Sequence, residues 1–319
     1  MGNGAAGEYD EFGLFHENIA EFELSVPAAP AVVRVETDLP NSTTADGSSR
    51  SVSALKWGIE TPELVLIHGG AQNAHTWDTV ALALGRPLLA IDLPGHGHSG
   101  WRSDGAYSPV SLADDVAIVV GEHAPDAKAV VGMSLGGLTS MELAVRHASL
   151  VRSLVMVDIT PGVNAKKAKA IIDFVDGPQS FASFDDLLQR TIEFNPTRSE
   201  SSLRRGILHN AHQLSDGSWQ WRYDRGSHAR SGAADSPVDS SGDASVDVLS
   251  ALWDDFSSIG CPLMIVRGSL SPVVDDDDIA EARKRQPDLE LHVVDGAGHS
   301  VQGDRPVELT SLLDIWLDR

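Results

Sequence analysis

The chain has 319 residues, 42% hydrophobic and 22% charged, enough for one large α/β domain with an insertion or for two smaller domains. A formal net charge of −22 repels phosphates, which argues against nucleic acid and anionic membrane surfaces as partners and leaves a small-molecule substrate. A single cysteine, Cys261, excludes an intrachain disulfide; with no leader-like start and no apolar run long enough to span a membrane, the sequence predicts a cytoplasmic protein.

Residues 1–20 are acidic and glycine-rich with little periodicity, and are expected to be loosely ordered. Phe22 to Val26 and Ala31 to Thr37 alternate as strands, a polar loop follows between Leu39 and Ser51, and Ser53 to Gly58 reads as an antiparallel partner. From Glu63 short apolar runs alternate with helical stretches. The strand cores are 64–67, 88–91, 129–131, 154–157, 263–266 and 289–294. The helices are expected at 74–84, 111–123, 138–147, 276–285 and 307–317. Near-continuous apolar strands separated by helices define a mostly parallel sheet covered on both faces.

The alternation breaks between Pro161 and about Ser258. Helical patterns at 165–175, 184–191 and 201–212 and an aromatic run at 219–224 read as a cap, inserted at residues 161–258 into a core formed by 21–160 and 259–319. Residues 231–247, rich in Ser, Asp and Gly, read as a flexible loop.

The motif that carries the chemistry is Gly132-Met133-Ser134-Leu135-Gly136, between a β-branched run and a helical segment. A strand that turns abruptly into a helix leaves Ser134 at the apex of a strained turn that only small neighbours tolerate, which makes it the candidate nucleophile. A serine hydroxyl needs an imidazole to take its proton. Of twelve histidines, His299 lies beyond the last strand in the glycine-rich loop Asp295-Gly-Ala-Gly-His299 and is the candidate base. An oxyanion requires preorganised N–H donors, expected from Leu135 and from the loop His68-Gly69-Gly70-Ala71, with Gly70 preferred and Ala71 close behind. His68 itself reads as structural. Candidate pocket residues are Trp77, Met133, Trp219 and Trp221, with packing as the alternative for each. His209 and His212 stand three apart, but no accompanying carboxylate motif makes them a metal signature; neither metal nor cofactor is expected.

Together, His68-Gly-Gly, Asp92-Leu-Pro-Gly-His-Gly-His-Ser99, Gly132-Met-Ser-Leu-Gly136 and Gly296-Ala-Gly-His299 resemble the α/β-hydrolase superfamily over roughly Glu63–Arg319. The resemblance implies an eight-stranded, mostly parallel sheet with helices on both faces and an inserted helical cap. Most members carry the acid after the seventh strand in Gly-x-x-Asp, where this chain has Gly268-Ser-Leu-Ser271. A subset of small esterases is similar in ending the sixth strand with Val-Asp-Ile-x-Pro, here Val157-Asp158-Ile159-Thr160-Pro161, and in carrying Ser at the usual acid position. That likeness implies Asp158 as the acid, supported by Ser271; Asp275 and Asp276 are the competitors, although their run suits a helix N-terminus.

The expected reaction is hydrolysis of small or medium carboxylic esters through an acyl-enzyme. Lactone, amide or carbon–carbon bond cleavage, and acyl transfer to an alcohol or to peroxide, would use the same constellation. A receptor that kept the pocket without turnover is the competing class.

Overall fold

The computed structural model describes residues 9–28, 30–44, 47–225 and 252–319; the expected 231–247 loop lies outside them. The eight strands of the central sheet are β1 (Val32–Thr43), β2 (Ser49–Trp57), β3 (Leu64–Ile67), β4 (Leu88–Ile91), β5 (Ala129–Met133), β6 (Leu154–Val157), β10 (Leu263–Gly268) and β11 (Glu290–Val294). Their order is β1-β2-β4-β3-β5-β6-β10-β11. The β1/β2 and β2/β4 pairs are antiparallel, and every later neighbour is parallel.

The apolar runs are continuous because both faces are buried. Leu64, Leu66, Leu88, Ala90, Val131, Val155 and Val266 belong to one core, under the helices Asp78–Leu84 and Pro306–Leu317. Val65, Ile67, Leu89, Ile91, Val130, Met156 and Ile265 belong to the other, under Pro109–His123, Leu135–Arg146 and Asp276–Arg285. Successive strand side chains point to opposite faces, so one short run feeds two cores, at about 1.5–3 kcal/mol for each large side chain buried.

Three sequence expectations fail near the N-terminus. Phe22–Val26 forms no strand, while β1 and β2 run several residues into the expected polar loop. Nor are residues 9–20 loose. Phe15–Glu21 is a helix that buries Phe15 and Asn18, and Phe15 stacks at a tilt on Trp57 with ring centroids 4.9 Å apart. Acidic residues here carry the fastening. Glu17 pairs with Arg204 at 3.2 Å, Glu21 with Arg205, and Asn18 Oδ1 accepts from Arg205 Nε at 3.1 Å. Low apolar periodicity hides a segment held by ion pairs.

Between β6 and β10 the described chain forms the helices Lys169–Val175, Phe184–Phe194 and Glu200–Asn210. A three-stranded antiparallel sheet accompanies them, made of β7 (Ser180–Phe181), β8 (Ala211–Gln213) and β9 (Trp219–Trp221), with β9 in the middle. This interval has its own core, including Leu187, Leu203, Ile207, Trp221 and Tyr223. It is therefore less purely helical than expected. No helix among the described residues is long and apolar enough to cross a membrane.

Candidate active site

Strand β5 ends at Met133 and the next helix begins at Leu135, which leaves Ser134 alone in the turn at φ 51°, ψ −120°. A left-handed φ is strained for serine and persists where the surroundings over-determine it. The two glycines show how tightly they do so. A Cβ on Gly132 would lie 2.2 Å from the Gly136 carbonyl oxygen, and one on Gly136 would lie 2.3 Å from the Ile67 carbonyl oxygen. Ser134 N–H donates to Val157 O at 3.2 Å, tying the turn to the end of β6.

The residue after β6 is Asp158, also at positive φ (52°) and fully buried. Its carboxylate gathers three donors from two segments, the turn after β10 and the histidine loop: Gly268 N–H to Oδ1 at 2.9 Å, the Ser271 hydroxyl to Oδ2, and His299 Nδ1–H to Oδ2 at 2.8 Å. Both oxygens of the buried carboxyl group are thus hydrogen-bonded, the condition for burying it without a large penalty. The bond through Nδ1 leaves His299 Nε2 as the free ring nitrogen. That atom is enclosed and has no hydrogen-bond partner among the described residues, and both Ser134 and His299 line one cavity of about 340 Å³.

Asp275 and Asp276, the competitors, go elsewhere. Asp275 caps the helix Asp276–Arg285 through a reciprocal capping box with Asp278, and also pairs with Lys167 at 2.8 Å. Asp276 is exposed and pairs with Arg267. Hydrogen bonding of Asp275 to Lys167 holds its carboxyl below the ordinary aspartate range, as befits a cap.

Opposite the serine, Gly70 and Ala71 line the same cavity, and neither N–H has a partner among the described residues. Leu135, as the first residue of its helix, has an N–H with no intrahelical acceptor. Ala71 is left-handed at φ 58°, and Asn210, at the end of the helix Glu200–Asn210, donates through Nδ2 to its carbonyl at 2.6 Å. Gln72 braces the loop, accepting from Gly69 N–H at 3.1 Å and donating to Ser300 beside the histidine at 3.3 Å. Asn210 and Gln72 carry no motif and were not foreseen; only the fold brings them here. His68 is structural: Nδ1–H donates to Gly69 O and Nε2 accepts from Leu93 N–H. Its burial pushes the imidazole pKa down to about 3.

The pocket expectations divide. Met133 and Trp221 line the cavity. Trp77 does not; it is fully buried in the core on one side of the sheet. Trp219 also stays outside the lining, edge-on to Phe184 in the interval between β6 and β10. On a short strand neighbouring side chains at i and i+2 face alike, yet only the deeper one reaches the cavity.

Of the two histidines weighed as metal ligands, His209 joins His75 and Asp78 in a buried group whose donor atoms lie within 4.8 Å of one another. His75 Nδ1 bonds Asp78 at 2.9 Å and its Nε2 bonds Glu11 at 3.1 Å. Burial alone would lower this imidazole, but the Asp78 charge, with Glu11 behind it, outweighs that and raises its pKa to about 9. Both lone-pair positions of His75 therefore carry protons. His209 stacks on it with centroids 3.9 Å apart and rings 7° from parallel, so in-plane lone pairs do not converge. The group reads as a buried ion cluster, and no ligand set is assigned to it.

The family described as the α/β hydrolase fold matches residues 62–306, and the chain belongs to it. It is 40% identical to the esterase Rv0045c of Mycobacterium tuberculosis over 97% of this chain and 96% of the relative. A crystal structure of that esterase superposes with a TM-score of 0.78, covering 98% of this chain and 99% of the other. A pimeloyl-[acyl-carrier protein] methyl ester esterase of Vibrio vulnificus is 39% identical over 31% of this chain and 38% of its own length. The chain is an α/β-hydrolase enzyme that cleaves esters.

Proposed function

We propose that the enzyme hydrolyses small or medium carboxylic esters through an acyl-enzyme on Ser134, with His299 as general base and acid and Asp158 as the residue that orients it. One observation carries the reading: the His299–Asp158 bond uses Nδ1 and leaves an unpartnered Nε2 in the cavity that holds Ser134. Nε2 takes the Oγ proton as Oγ attacks the ester carbonyl, and the developing oxyanion accepts from Leu135 N–H and from Gly70 or Ala71 N–H. His299 then returns the proton to the leaving alcohol. A water deprotonated by the same nitrogen attacks the acyl carbon, and the acid departs as Ser134 recovers its proton. Asp158 fixes the tautomer and offsets the imidazolium charge; Ser271 and Gly268 keep the carboxylate in place.

The interval between β6 and β10 acts as a cap, since Phe174, Phe194, Leu203, Ile207 and Trp221 supply much of the apolar cavity wall. An apolar wall beside Ser134 suits an acyl chain of modest length. The single cysteine fits a reducing, cytoplasmic setting. Hydrolysis of p-nitrophenyl esters across acyl lengths, with stoichiometric labelling by a fluorophosphonate, tests the reading. Wild type should do both and Ser134→Ala neither. Undiminished turnover by Ser134→Ala would remove the nucleophile assignment.

A further inference from the structure

The insertion also brings a cation to the cavity. Arg198 lies in the turn before the helix Glu200–Asn210 and lines the cavity with Ser134 and His299. Its Nε donates to Ser202 Oγ at 2.9 Å. Neither Nη has a hydrogen-bond or ion-pair partner among the described residues, and neither is sealed off from accessible space. The fold makes room for the group: a Cβ on Gly303, in the short helix after His299, would lie 2.7 Å from Arg198 Cζ.

The neighbouring charges do not satisfy it. Asp304 is not within ion-pair distance, and its Oδ2 already accepts from Thr197 Oγ1 and Gly298 N–H, both at 2.7 Å. Arg205 is occupied by Glu21 and Asn18. Lys167, the other cation of the lining, is bound to Asp275 and Asp278. Burial, with the nearby Arg205, holds the Arg198 pKa below the ordinary arginine value against the pull of Asp304 and Glu21, so the guanidinium is largely desolvated while neither Nη is closed into an ion pair. A guanidinium with two free Nη groups beside an apolar wall suits bidentate capture of a carboxylate at the far end of a chain.

We infer that Arg198 selects esters carrying a second, free carboxylate, the half-esters of dicarboxylic acids, by pairing with that carboxylate while the ester reaches Ser134. This rests on Ser134 being the nucleophile. The test compares proton release from monoethyl esters of C4–C8 dicarboxylic acids with that from ethyl alkanoates of equal length, in wild type, Arg198→Gln and Arg198→Lys. Wild type should favour the half-ester in kcat/KM. Arg198→Gln should lower the half-ester to alkanoate ratio about 10–100-fold, chiefly through KM. Arg198→Lys, which keeps the charge without the fork, should retain more of the ratio and reports even where the Gln variant folds poorly. A wild-type preference for the neutral ester, or equal losses for both substrates, overturns the inference, as does a gain found only with phosphate-terminated esters. Calorimetric binding of the half-ester to Ser134→Ala, with and without Arg198→Gln, needs no turnover. A Kd raised about 10–100-fold by the second substitution supports Arg198 even if Ser134 is misassigned, and an unchanged Kd refutes it.

Discussion

Replacing Asp158 by asparagine changes one atom and asks which carboxylate serves His299. Asp158 accepts three hydrogen bonds, from Gly268 N–H, the Ser271 hydroxyl and His299 Nδ1–H. In Asp158→Asn the amide oxygen can still receive Gly268, but the NH₂ then faces Nδ1 and the serine hydroxyl. A donor there forces Nδ1 to accept, so the ring proton moves to Nε2, the atom that takes the proton from Ser134 in the proposed mechanism. The fold survives because shape and volume are kept, while the base is present in the wrong tautomer. The expected loss is about 10³–10⁴ in kcat, or about 4–5.5 kcal/mol of barrier, with little change in KM. The assay is initial-rate hydrolysis of a p-nitrophenyl ester, with circular dichroism to confirm folding. Asp275→Asn is the matched control: its amide oxygen can still cap the helix, the loss of the Lys167 pair costs under about 1 kcal/mol of stability, and kcat should stay near wild type. Activity that survives Asp158→Asn but collapses in Asp275→Asn would refute the reasoning and move the acid to the loop after β10.

The elbow and the buried ion cluster each give a further expectation. Gly132→Ala puts a Cβ 2.2 Å from the Gly136 carbonyl oxygen and 2.4 Å from Ser140 Oγ. It should destabilise by about 1–3 kcal/mol or more and distort the serine turn; a variant with wild-type Tm and activity would contradict that packing. His75, raised from 6.5 to about 9 in the folded state, binds its proton more tightly there than in the unfolded chain. Its contribution is fully present below pH 6.5 and is lost as pH rises through 9, up to about 3 kcal/mol in all. Denaturant midpoints measured from pH 6 to 10 should fall across that window. A flat profile would mean that Glu11 and Asp78 do not hold the imidazolium.

The parts readable in the sequence are those whose physics is local. Strands 64–67, 88–91 and 154–157 and the helix Asp276–Arg285 stand where periodicity and capping residues placed them, because two-sided burial writes a continuous apolar run and a helix start writes its own cap. The elbow is equally local, since the turn excludes side chains at Gly132 and Gly136 whatever surrounds it. Asp158 was reached through resemblance, not periodicity; what brings it to His299, 141 positions away, is the parallel neighbouring of β6, β10 and β11. Only the tertiary structure decided the rest. It turned Trp77 into the core, fastened residues 9–21 by ion pairs, set Asn210 on the Ala71 carbonyl and left both Arg198 Nη groups without an ion-pair partner among the described residues. Those outcomes depend on partners far away in the chain, and contacts at such separation leave no period, cap or glycine pattern by which a sequence could announce them.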